Sequence, residues 1–172
     1  MKTRIFYLAI GIMVFIISYI FGANTNINLD ESKTIKEQFE AKIKGIDEFG
    51  IFFNNIVIAL GMFIPGLGIG LGIFSGFGTG LVFSAIAETN VTLRSISPLS
   101  ILVTPFGILE IFSYGLAISR SGMIIYDYFI KKIPWRQFLK PTGIEIIIVI
   151  SLLLTGAIIE WNMIQQFTNT PL

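Results

Sequence analysis

The sequence predicts an all-α integral membrane protein with about five transmembrane helices, one exterior amphipathic helix and a Gly-rich helical hairpin. Three observations carry this expectation. Only 13% of the 172 residues are charged while 53% are hydrophobic, whereas a soluble domain carries roughly 25% charged residues. The charges fall in clusters, and the apolar stretches between them reach the ~20 residues that a bilayer crossing needs. Glycine is abundant, at 17 residues, and part of it recurs with helical spacing. The chain is read as one membrane domain with the lipid bilayer as its solvent.

Composition also removes reaction classes. The chain has no histidine and no cysteine, so Ser-His-Asp and Cys-His relays, His-ligated zinc or haem, and thiolate chemistry are excluded. Twelve basic against eleven acidic residues offer no stripe that would track phosphates, which argues against nucleic acid. No catalytic, cofactor-binding or metal-ligating set is expected, and the composition points away from an enzyme.

The first uncharged stretch follows Lys2 and Arg4 and predicts a span over 5–22. Its apolar part exceeds the ~7–15 residue core of a signal peptide, and Gly22-Ala23-Asn24 makes a poor cleavage site, so a retained helix is expected. Residues 31–47 predict the amphipathic helix, because Ile35, Phe39, Ile43 and Ile46 recur on one face. Lys33/Glu37, Lys36/Glu40 and Glu40/Lys44 are spaced to pair on the other. This segment would lie on the membrane surface or dock a partner. Phe49 to Ala87 carries no charge and as one helix would be about 60 Å long, twice the hydrocarbon core. Pro65-Gly66 is the natural break, giving spans over 50–64 and 67–87. Further spans are expected over 99–125 and 142–163, separated by a loop bearing Lys131, Lys132, Arg136 and Lys140. Lys and Arg accumulate in cytoplasmic loops. The basic loop and the N-terminus share a side only if the 49–87 stretch crosses twice, which puts the N-terminus in the cytoplasm and the C-terminus outside.

Several residues stand out within these spans. Gly68, Gly72, Gly76 and Gly80 form a glycine zipper that Ser84 extends. Such a face lets helices approach closely, either within the chain against the second or fourth span, or in a homo-oligomer or pore. Glu110 sits near the centre of the predicted fourth span beside Pro105 and Gly107, where a charge costs at least ~2.5 kcal/mol. A structural hydrogen bond, an ion or proton role, and contact with a partner are all open for it. Arg120, ten residues on, is expected to snorkel toward the interface. Glu160 stands beside Trp161 near the outer end of the last span, at a depth different from that of Glu110. Asn54 and Asn55 open the second span, where they could cap it, bond a neighbour or bind a ligand. Tyr126-Asp127 resembles half of an intramembrane aspartyl protease pair, but no second half follows.

In order, Phe53-Asn54-Asn55, the glycine-rich hairpin, Pro105-Phe106-Gly107-Ile108-Leu109-Glu110 and Ala157-Ile158-Ile159-Glu160-Trp161 resemble the stage II sporulation protein M family of multi-span membrane proteins. The third motif is similar to the family's Pro-His-Gly-x-x-Glu, with Phe106 where the family has histidine. Ser75 replaces an expected asparagine before Gly76. The resemblance singles out Asn54, Asn55, Pro105, Gly107, Glu110 and Glu160. It implies a non-enzymatic membrane scaffold or accessory subunit with protein partners in the membrane or on its exterior face. The alternative from the residues themselves is a small transporter or channel with Glu110 at a midplane site.

Overall fold

The computed structural model describes residues 2–90 and 96–169, and every regular element among them is helical. In chain order these are α1 (Lys2–Ala23), α2 (Leu29–Ile43), α3 (Glu48–Met62), α4 (Leu67–Thr89), a short 3-10 helix (Pro98–Val103), α5 (Pro105–Phe129) and α6 (Arg136–Asn169). Helices α1, α4, α5 and α6 are long and apolar enough to cross a membrane. Helix α3 has 15 residues, about 22 Å at 1.5 Å per residue. It makes a fifth crossing when counted with α2, which is bent 113° away from it.

The helix starts follow from local chemistry. Asn28 accepts from the Glu31 N–H while Glu31 accepts from the Asn28 N–H, a reciprocal cap that begins α2. Asp47 accepts from the Gly50 N–H at 2.8 Å and begins α3. Thr104 accepts from the Gly107 N–H at 3.1 Å, and Pro105 occupies the first helical position, where a missing N–H costs nothing.

Contacts between helix ends define two faces of the bundle. The Tyr7 and Tyr126 rings lie 6.5 Å apart, and the Ser121 hydroxyl donates to the Ile64 carbonyl at 2.8 Å. The start of α1, the α3–α4 turn and the end of α5 therefore share one side, called here the hairpin face. At the opposite α2 face, the Tyr19 hydroxyl donates to the Pro98 carbonyl at 2.7 Å and ties the 3-10 helix to the end of α1. Gly66 turns the hairpin with φ +87°, a left-handed conformation that strains any residue with a Cβ. Its N–H donates to the Ser121 hydroxyl at 3.2 Å.

Close packing centres on α4. Gly68, Gly72, Gly76 and Gly80 are all buried. A Cβ at Gly80 would collide with the Tyr19 carbonyl, one at Gly76 would stand 2.8 Å from the Phe15 carbonyl, and one at Gly72 would overlap Ile118. The row therefore lies on α1 and α5, with α1 running parallel to α4. It meets α3 only beside the turn, where a Cβ at Gly68 would strike the Met62 carbonyl. Gly11 and Gly115 give α1 and α5 the same intimacy. The core then closes around Phe15, Ala59, Met62, Tyr114, Ala117, Ile118, Val149 and Leu153.

Several expectations are corrected. The span expected over 99–125 begins at Pro105, because the Thr104-Pro105 cap interrupts the uncharged run and 98–103 forms a separate 3-10 turn. The last helix starts at Arg136 and runs through Pro141, since burying Phe138 against the bundle holds an extra turn in place. The amphipathic helix ends at Ile43, before Gly45 at φ +74°. It packs against α4, with Ser32 fully buried. Lys36 pairs with Glu40 at 3.6 Å, and Lys33 with Asp30 at 3.7 Å.

This packing predicts opposite outcomes on the two sides of α4. Gly80→Leu should lower stability by about 1–3 kcal/mol or more, because Tyr19 and α1 must move. At Gly78, where an added Cβ meets nothing within 4 Å, alanine should be neutral or gain up to about 1 kcal/mol from helix propensity. Unfolding by dodecyl sulfate from mixed micelles reads both, and equal tolerance at the two positions would contradict this packing.

Candidate functional site

Two polar centres lie inside the bundle, one toward each face. Toward the hairpin face, Glu145 of α6 accepts from two arginines. Its Oε1 takes Arg4 Nε at 2.6 Å and Arg120 Nη2 at 2.5 Å, and its Oε2 takes Arg120 Nε at 2.8 Å. The Arg120 fork thus engages both oxygens, the geometry in which guanidinium–carboxylate bonds are strongest. Arg4 also donates to the Ser119 hydroxyl at 2.7 Å and the Leu116 carbonyl at 3.3 Å. Arg120 is 5% and Glu145 8% exposed. Two positive groups against one negative tie α1, α5 and α6 together, with five of the six guanidinium nitrogens donating.

This corrects the expectation that Arg120 snorkels. Its guanidinium is buried and turned to Glu145 of α6. Glu145 is the residue that sequence reasoning missed. The available signal was that an arginine inside a span requires an acidic partner, and Glu145 is the acid in the facing part of the last helix.

The second centre lies toward the α2 face. Asn55 Nδ2 donates to Glu110 Oε1 at 2.5 Å, and Asn54 Nδ2 donates to Asn55 Oδ1 at 3.1 Å, linking α3 to α5. Asn54 and Asn55 sit two turns inside α3 and do not open it, because Asp47 already caps that helix. Glu110 is near the start of α5, about one and a half turns from Pro105, and not at its centre. Glu160 of α6 lines the same cavity as Glu110. The two acids expected at different depths are therefore neighbours, because α5 starts later and α6 extends further than the sequence suggested. Pro105 and Gly107 serve the helix start, and a Cβ at Gly107 would strike the Ile101 carbonyl of the 3-10 helix.

That cavity, of about 670 Å³, is a cleft between α3 and α4 roofed by α2. Its walls are chiefly apolar, and exposed Phe74 and Val57 stand at its lateral opening. Elsewhere, Asp127 pairs with Lys131 at 2.8 Å, and this hydrogen bond holds the Lys131 ammonium above the ordinary lysine range. Asp127 is thereby engaged in ending α5. No group of three or more acidic side chains among the described residues is placed to hold a metal ion.

No protein-family model, curated protein or solved structure matches this chain.

The ion network predicts an order of sensitivity. Glu145→Gln leaves the buried Arg120 guanidinium facing that of half-buried Arg4 with no anion between them and should cost about 3–5 kcal/mol. Arg4→Gln should cost less, because the Arg120–Glu145 fork survives and the Arg4 side chain is 23% exposed. Thermal unfolding in detergent orders the variants, and a Glu145→Gln protein as stable as the parent would contradict the assignment.

Proposed function

We propose that this chain is a non-enzymatic integral membrane scaffold or accessory subunit of a multi-protein membrane complex, similar in role to stage II sporulation protein M. The observation that supports this reading best is the apolar plug between the two polar centres. Met62, Ala117, Ile118, Val149 and Leu153 are buried together between the Asn55–Glu110 link and the Arg4–Glu145–Arg120 network. Each centre joins helices of the same chain, which suits a rigid platform better than a conduit. The segments Phe53-Asn54-Asn55 and Pro105 to Glu110 that carry the family resemblance meet at the Asn55–Glu110 hydrogen bond, which gives them a shared structural purpose.

The transporter reading draws on one feature, the cleft that reaches Glu110. It requires the apolar plug to open during each cycle, and five crossings are few for that motion. Extraction from native membranes in mild detergent, followed by native mass measurement, separates the two readings. The scaffold reading predicts a stoichiometric foreign subunit. A monomer or homo-oligomer that mediates flux in vesicles, lost in Glu110→Gln, would overturn it.

The orientation proposed places the hairpin face in the cytoplasm, because Arg4, Lys131, Lys132 and Arg136 gather there. The chain has no cysteine background, and both Gln38 and Lys132 are exposed. An impermeant thiol reagent added outside cells should label Gln38→Cys and spare Lys132→Cys. The reverse pattern would invert the topology.

A further inference from the structure

The α3–α4 cleft has the chemistry of a ligand site. Its volume of about 670 Å³ lies within the roughly 300–1,000 Å³ range of small-molecule pockets and is far too small for a partner helix. Aromatic rings form much of its inner wall, including Phe15 and Tyr114 with centroids 5.1 Å apart, Tyr19 and Phe106. Two carboxyl groups, Glu110 and Glu160, line it together. Asn55 engages one oxygen of Glu110, while Glu160 makes no hydrogen bond or ion pair among the described residues. Tyr114 is 4% exposed, lines the cleft, and its hydroxyl also makes no hydrogen bond among the described residues. The one basic lining residue is Lys42 of α2, which is exposed and stands at the rim.

Acid without a neutralising base, set among aromatic faces and opening sideways into lipid, is complementary to a single kind of molecule. The geometry points to a binding site for a lipophilic cation, an apolar body carrying one positive charge, that enters between α3 and α4 from the bilayer. Its body fills the space beside Phe74 and Gly78, and its charge rests against Glu110 and Glu160 with Tyr114 and Phe15 offering ring faces. Lys42 at the rim excludes nothing of this kind, because the charge is held deeper in the cleft. The site is independent of the scaffold role, so either can fail without the other.

Tetraphenylphosphonium and tetraphenylborate, nearly the same shape with opposite charges, are the probes. The full chain in nanodiscs of zwitterionic phospholipid is dialysed against labelled tetraphenylphosphonium, with empty discs subtracted. Saturable binding of one equivalent is expected, with tetraphenylborate failing to compete. The double variant Glu110→Gln, Glu160→Gln should weaken binding at least tenfold. Gly78→Leu tests the site without touching a charge. An added Cβ there meets nothing within 4 Å, so the helix tolerates it while the side chain occupies the part of the cleft that the apolar body would take, and binding should weaken at least tenfold with helix content and mass unchanged. Absence of saturable binding, equal competition by tetraphenylborate as a charge-blind acyl-chain groove would give, or undiminished binding in Gly78→Leu would overturn the proposal.

Discussion

Helix α4 meets α1 backbone to backbone, and most of the architecture depends on that contact. Lipid tails are as apolar as leucine, so helices in a bilayer gain little from hiding apolar side chains from it. Association rests on close van der Waals contact and interhelical hydrogen bonds. Gly76 and Gly80 let the α4 backbone reach the Phe15 and Tyr19 carbonyls, and Gly72 receives Ile118 of α5. Once the bare face of α4 is turned to α1 and α5, its bulky face, with Phe74, must look outward. Helix α3 is then held by its turn and by α6, and the cleft lies between it and α4.

Electrostatics sets the register of the remaining helices. The Arg4–Glu145–Arg120 network joins the first, fifth and last helices at a common depth. A sliding of α6 by one turn, about 5.4 Å, would separate Glu145 from both partners and leave charges unpaired in a low-dielectric interior. A buried ion pair adds little net stability against an apolar equivalent but penalises wrong alignments heavily. The Asn55–Glu110 bond does the same between α3 and α5 at the other face, so two sparse polar contacts align what apolar packing alone would leave free to slip.

The helical class and the approximate places of the long apolar helices were legible because charge clusters and apolar runs are sequence-local. The Pro65-Gly66 turn was legible for the same reason, since no bilayer accommodates a helix of about 60 Å. What sequence reasoning lost was depth. The Thr104-Pro105 cap lies inside an uncharged run, so nothing local separates Glu110 from a mid-helix position or brings it to the depth of Glu160. Arg120 and its partner Glu145 lie 25 residues apart on different helices, a pairing that no local pattern marks. The glycine row declared itself by spacing, but its partner did not. Which helix it faces depends on the topology of the whole bundle, and a four-residue period carries no information about that.

The scaffold role proposed above requires the helices of one chain to be fixed against one another. That account stands on α1 and α4 packing within one chain, and a cross-link tests it most directly. A Cβ at Gly76 stands 3.1 Å from that of Ser18, and a separation of a few tenths of an ångström more brings the pair into the ~3.5–4.5 Å range for a disulfide. The double variant Ser18→Cys, Gly76→Cys, oxidised in the membrane, should close within a single chain and migrate as a monomer. A disulfide-linked dimer would place the glycine face against something other than α1 of its own chain and contradict the account.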